Sequence, residues 1–552
     1  MSGNGPADDY EAWTKSNLIA RVRHLENQLE QSGRLGELAD AVKPAKAGRD
    51  MDPSKYSTRF IALKLAYLGK NYGGFEFQAS GNLPSIEEEL WKALTRARLI
   101  FPDDNKVVKF DCCDYSKCGR TDRGVSAFGQ VIALRVRSNR PRRDQGEPLE
   151  GKPFDHVDDE LCYPRLLNRL LPQDIRVLAW CPWLPADFSA RFSCRERQYR
   201  YFFTQPAFAP LPASLQGPAK SSRVKTGWLD IAAMRDAARR FQGEHDFRNF
   251  CKLDAAKQIT NFCRRIFEAD IVQVQDDGST LPYLQDADFA PPGTRAADGT
   301  RLHIFYFHVR GSAFLWHQIR HMVAILFLVG QGLEQPSIVS ELLNVKRHGQ
   351  KPNYTMADHV PLVLWDCVFS GDRHDDDEGP GKDSLDWIYI GDDKMKSKFG
   401  KFGLVDDIWG LWRQHKMDEV LANQLLRQVS GPSRARDEAK HALPSAGTTA
   451  AGVRVFEGGN SGRYEGRYVA VMDKKLLQTV EEQNDKYAKR KGYANAQDMW
   501  TRRVMDRARL EEACAQSSRQ GEEGEGGEGG EGGEGGEGGE GGGVATQLNC
   551  MV

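Results

Sequence analysis

The 552 residues lack the local signatures of metal, nucleotide and hydrolase sites. Their eleven cysteines include no Cys-x-x-Cys pair. The cysteine count is odd, the spacings are irregular and Cys112-Cys113 are adjacent, which disfavours structural zinc and a disulfide framework alike. The glycine-rich segment Gly69 to Gly74 lacks the Gly-Lys-Ser/Thr ending of a phosphate-binding loop, and no Gly-x-Ser-x-Gly elbow occurs. No apolar run reaches the roughly 18 residues a membrane span needs; the longest stretch, Met322 to Gly330, falls well short. The N-terminus, polar and acidic from Met1 to Asp9, is unlike a secretory or transit signal, so an intracellular protein is expected.

Charge is present but uneven. The net formal charge is -1, yet the segment from about Lys55 to Ser370 carries roughly +8 and the remainder is acidic. Arginines cluster at Arg135 to Arg143, Arg191 to Arg200 and Arg264-Arg265, and the middle cluster is interleaved with Phe192, Tyr199, Tyr201, Phe202 and Phe203. Cations beside aromatic rings suit phosphate contacts and base stacking. A solvated, salt-bridged strand face is the competing reading.

Alternating patterns predict strands at Phe60–Tyr67, Gln130–Val136, Ile175–Trp180, Gln198–Thr204, Leu302–Val309 and Leu362–Val368. Helices are expected at Ser85–Leu94, with Ser85 and Glu88 as a capping box, at Leu161–Leu171 and Leu229–Phe241, and at the apolar, buried Ala313–Val329. These elements recur in two comparable halves. The expected fold class is therefore α+β, two similar halves with antiparallel mixed sheets flanked by helices. The expected domains are 1–54, an N-terminal extension; 55–205 and 206–370, the halves of the catalytic domain; 371–520, a partly helical extension; and 521–552, a low-complexity tail. In the first extension Leu18, Val22, Leu25 and Leu29 form a short heptad seam, read as a single helix or a weak self-association into a homodimer. Trp387 to Trp412 is expected against the core. The Glu-Gly-Gly repeats of 521–543 cannot supply a core and are expected to be disordered.

The segment Cys118-Gly-Arg-Thr-Asp-Arg-Gly-Val-Ser-Ala127 places one carboxylate, Asp122, between Arg120 and Arg123 in a glycine-flanked turn. It reads either as a turn aspartate capping its own backbone or as a nucleophile or base kept ionised by nearby arginine. Arg320 is a cation in an otherwise apolar helix and needs an anion unless it snorkels outward; Asp122 would explain both residues. His317 and His321 stand at i, i+4, but Gln318 follows the first and no third ligand stands out, which disfavours a metal role. No second carboxylate is offered for a glycosidase pair.

The motif Gly119-Arg-Thr-Asp-Arg-Gly-Val125 resembles the catalytic motif of the TruA family of tRNA pseudouridine synthases. Four further blocks resemble the same family in the same order: Tyr67 to Gln78, Leu167 to Pro172 with Asp174-Ile175, Asp187 to Ser193 running on to Tyr199-Arg-Tyr201, and Ala313-Phe314 through His317 to Arg320. Cys118, Ser126, Ser189 to Cys194 and Phe314 to Gln318 are most similar to the eukaryotic subgroup that acts at tRNA positions 38 and 39; bacterial relatives usually have histidine where Ser126 stands. The resemblance implies isomerisation of uridine to pseudouridine without a cofactor or metal, on the anticodon stem-loop of tRNA, in nucleus and cytoplasm. It implies that Asp122 is the nucleophile or base, that Arg120 holds the flipped nucleotide or fills its place, and that Arg320 pairs with Asp122. Tyr199 would pack on the uracil, and Arg191 would grip RNA phosphates. A synthase acting on other RNA positions and a catalytically idle RNA-binding protein are the alternatives.

Overall fold

The computed structural model describes residues 51–142, 153–210, 227–275, 302–369, 383–391, 398–399, 403–430, 453–460, 463–465, 467–506 and 508–509. The heptad seam, the Glu-Gly-Gly repeats and most of the first extension lie outside the described residues.

Ten strands form one sheet. In chain order they are β1 (Ser57–Tyr67), β2 (Ser116–Lys117), β3 (Ser126–Ser138), β4 (Ile175–Cys181), β5 (Cys194–Gln205), β6 (Gly243–Asp246), β7 (Cys263–Gln273), β8 (His303–Gly311), β9 (Leu362–Phe369) and β10 (Ile388–Tyr389). The spatial order is β10-β4-β1-β3-β9-β5-β8-β7-β6, with β2 paired to β3. The pairs β10–β4, β4–β1, β2–β3, β9–β5, β5–β8, β8–β7 and β7–β6 run antiparallel, whereas β3 and β9 meet in parallel through Ser126↔Val363 and Ala127↔Leu364. The α+β expectation holds, and that short parallel seam joins the two halves into one mixed sheet.

Each half has its own core. Helix α1 (Ile86–Arg96) and α2 (Tyr163–Asn168) belong to the first half, whose core gathers Leu63, Phe75, Leu90, Leu134, Val177 and Phe369. Ser85 caps α1 by accepting from the Glu88 amide at 3.1 Å, but the Glu88 carboxylate turns to Lys92 at 2.8 Å, so only half of the expected capping box forms. The second core collects Tyr201, Phe247, Ile271, Phe307 and Phe327 around α3 (Ile231–Arg239), α4 (Gln318–Gly330) and α5 (Ile338–Leu343). Every residue of α4 is buried, as its apolar sequence requires. Strand β5 feeds both cores, Cys194 to the first and Tyr201 to the second.

Strand β7 does not stand out in the sequence. Its buried positions are Ile266, Ala269 and Ile271, and the irregularity between Ile266 and Glu268 breaks the two-residue alternation. Past the halves, β10 extends the sheet, while α6 (Leu404–Val429) buries none of its residues. Of the stretch expected against the core, β10 therefore joins the sheet, while α6 contributes no buried residue and reaches the first half through Asp407, 3.3 Å from buried Arg176.

Candidate functional site

A cleft of about 1190 Å³ opens where the two halves meet; Asp122, Tyr199, His317 and Arg320 are among its lining residues. Eight lysines and arginines line it against four carboxylates. Phe192 and Trp316, two of its aromatics, are well exposed.

The loop carrying Asp122 is held at its backbone. Gln130, fully buried on β3, accepts from the Gly119 amide at 3.1 Å and donates to the Gly119 carbonyl at 2.8 Å. The Thr121 carbonyl accepts from Phe75 N at 3.1 Å, Thr121 Oγ1 meets the Tyr67 hydroxyl at 2.8 Å, and Gly124 N donates to the Tyr72 carbonyl at 3.2 Å. Val125 N closes a tight turn on the Asp122 carbonyl at 3.1 Å. Gly124 has φ +77°, and a Cβ there would strike the His359 ring, so glycine is required. Gly74 of the glycine-rich segment, with φ +119°, lies against the backbone of Thr121 to Arg123. That segment buttresses the Asp122 loop.

From the other half, the turn into α4 reaches the carboxylate. Trp316 Nε1 donates to Asp122 Oδ1 at 3.2 Å, and His317 Nε2 lies 3.4 Å from Asp122 Oδ2. Lys252 Nζ sits over the Trp316 ring, 4.2 Å from its centroid. His317 adopts a left-handed backbone, φ 60°, which costs on the order of 1–3 kcal/mol in a non-glycine residue and is typical of functional turns. Burial, with Arg320, Lys252 and Lys351 nearby, pulls its imidazole down to about 4, so it faces the carboxylate as a neutral ring.

Two expectations about Asp122 need correction. Its pKa is raised above the ordinary carboxylate value, because burial outweighs the Trp316 hydrogen bond and the charges of Arg320, Lys252 and His359. Arg120, expected to help keep it ionised, is instead paired with Glu76 at 3.2 Å. Arg320 also makes no contact ion pair with Asp122 among the described residues. Its Nε donates to the Ala357 carbonyl at 2.8 Å, and its charge acts on Asp122 through space.

The remaining candidates do converge. Tyr199, half-buried on β5, packs edge-on against Phe314 at 5.2 Å, and desolvation pushes its hydroxyl pKa up. Arg191 stacks over Phe192 at 5.2 Å on the cleft wall. The basic aromatic cluster of β5 is divided by strand alternation. Tyr199 faces the cleft, whereas Arg200 stacks on Tyr306 and on Trp365, 3.6 Å from the latter's centroid. Sequence reasoning did not find the roles of Trp316 and His317 at the carboxylate. Proximity to Arg320 along the chain was the available signal, but the direction of a turn is not written in residue spacing.

A family model described as tRNA pseudouridine synthase matches residues 237–370. The tRNA pseudouridine(38/39) synthase of Mus musculus is 41% identical over 421 residues, 74% of this chain and 74% of its own length. The Homo sapiens protein of the same description is 38% identical over 419 residues, again 74% of each. That of Saccharomyces cerevisiae is 34% identical over 501 residues, 88% of this chain and 93% of its own.

Proposed function

Because the chain belongs to the tRNA pseudouridine synthase family, and so is an isomerase acting on tRNA, we propose that its targets are uridines 38 and 39 of the anticodon stem-loop and that Asp122 performs the chemistry. The reaction breaks the N1–C1′ glycosidic bond and joins C1′ to C5; C5 loses a proton and N1 gains one, so the product is an isomer of the substrate. The observation that carries the reading is the Asp122 carboxylate, open to a basic, aromatic-lined cleft and met there by Trp316 and His317.

The residues divide the work. Phosphates of the stem-loop meet the basic walls, where Arg191 and Lys257 stand, and exposed Phe192 offers a stacking face. A uridine leaving its stack inserts beside Tyr199, and Arg120, which also lines the cleft, holds the flipped nucleotide or fills the space it vacates. Asp122 then either attacks covalently or removes a sugar proton to give a glycal-like intermediate. Its ionised form is required in both routes, and Arg320 and Lys252 favour that form against burial.

Single-nucleotide mapping of pseudouridine tests the site preference. Cells lacking the protein are expected to lose the modification at tRNA positions 38 and 39, and the wild-type chain to restore it. Loss at other tRNA positions with 38 and 39 intact would sink the preference while leaving the family assignment standing. Fluorescence microscopy of the tagged full chain tests the nuclear and cytoplasmic distribution that goes with this reading.

A further inference from the structure

Three cysteines far apart in the chain meet beside the Asp122 loop. Cys118 precedes Gly119, Cys194 opens β5, and Cys367 lies on β9. Their sulfurs lie within 4.8 Å of one another, and all three residues are buried. An ion holding three thiolates at about 2.3 Å keeps the sulfurs roughly 4 Å apart, so the trio needs little adjustment to close on one.

Buried thiols often serve simply as small apolar core residues. Arg197 argues for more. Among the described residues its guanidinium donates only to backbone carbonyls, those of Ser312 at 2.9 Å, Arg191 at 3.1 Å, Cys118 at 3.3 Å and Cys194 at 3.5 Å. No carboxylate forms an ion pair with it among the described residues. A half-buried cation clasping the backbones of two of the three cysteines is the complement that an anionic metal–thiolate centre requires. Three thiolates around Zn²⁺ carry a net charge of -1, and around Cu⁺ a net charge of -2. Cys118 also lines the cleft, which gives an ion a route in.

We propose that Cys118, Cys194 and Cys367 form a three-thiolate site for a thiophilic ion of closed d shell, Zn²⁺ or Cu⁺. Binding exchanges three thiol protons for one ion, with no redox change. The ion ties the segment leading into the Asp122 loop to β5, which carries Tyr199, and to β9, which forms the parallel seam with β3. Its role is to position these elements, and it takes no part in the isomerisation. Short-range spacing rules cannot find such a site, because its ligands come from three separate strands and loops.

The test loads the reduced full-length chain with Zn²⁺ alone, and separately and anaerobically with Cu⁺ alone, removes free metal, and counts bound ion by elemental and native mass spectrometry. One ion per chain is expected from at least one of the two, and competition between them identifies the preferred metal. Cys118→Ser, Cys194→Ser or Cys367→Ser should abolish stoichiometric binding, whereas Cys112→Ser, at an exposed position, should leave it intact. X-ray absorption on the loaded wild-type chain should count three sulfur neighbours, a readout that stands even if a cysteine variant fails to fold. Absence of stoichiometric binding of either ion, or a bound ion with fewer than three sulfur neighbours, would overturn the site.

Discussion

The two sides of the cleft handle the same carboxylate differently. On the first half, the Gly119–Val125 loop is fixed by contacts to its own backbone, from Gln130, Phe75 and Tyr72. On the second half, the turn into α4 meets the Asp122 side chain directly, with the Trp316 indole, the neutral His317 ring and the nearby charge of Arg320. One side decides where the carboxylate stands, and the other decides how readily it ionises. Geometry and electrostatics thus enter from opposite halves of the sheet, and substitutions on the two sides should have separable signatures.

The largest effect removes the group on which both sides act. Asp122→Asn keeps the shape, and its side-chain carbonyl can still accept from Trp316, but it can neither attack nor take a proton. Pseudouridine formation should fall by at least about a thousandfold while tRNA binding persists in a filter or shift assay; measurable turnover above that level would remove Asp122 from the chemistry. Next comes Arg320→Met, on the electrostatic side. Loss of its charge raises the Asp122 pKa further, so activity should be lost at a higher pH as the solution is acidified. On that acid limb the rate falls roughly tenfold per unit of displacement. A pH–rate profile shows this, and an unmoved acid limb would mean that the arginine does not act on the carboxylate.

A smaller effect is expected from the geometric side. Gln130→Leu leaves the part-buried Gly119 amide and carbonyl without their partner, at a cost of at most about 1–3 kcal/mol for each. Thermal unfolding should occur several degrees lower and the rate should drop, but the acid limb should stay where it is. A displaced limb would show that loop position and ionisation are not separable.

The sequence makes this division only partly legible. Strands β1, β3, β5, β8 and β9 and the buried helix α4 follow from runs of strand-forming and apolar residues, although only β8 alternates regularly in burial and β1 and β3 are buried on both faces over several residues in succession. Irregular backbone hides the rest. A bulge conceals β7, and a left-handed residue at His317 turns Trp316 toward Asp122. The expectation that Arg320 must touch a carboxylate rests on charge alone. The structure satisfies the guanidinium with the Ala357 carbonyl and leaves Asp122 to the indole. Likewise, Arg120 and Arg123 flank Asp122 in sequence, yet Arg120 turns to Glu76 across the turn.

The smallest predicted effect concerns stability and follows from the sign of the Asp122 shift. Burial raises the folded-state pKa above the ordinary value of 3.8. Between these two values the folded chain holds more protons than the unfolded chain, so the group's contribution to stability falls as pH rises through that window. Above the folded-state pKa the whole penalty of a buried carboxylate is present; below about 3.8 both states are protonated and it vanishes. Asp122→Asn removes that penalty, so the inactive variant should unfold at a slightly higher temperature than wild type at neutral pH. The gain should shrink as pH falls through the window, and calorimetry of both chains across it measures this difference. Equal or lower stability of the variant at neutral pH would mean that Trp316, Lys252 and Arg320 compensate the buried charge in full, and the second half of the cleft would then stabilise the carboxylate rather than merely limit its cost.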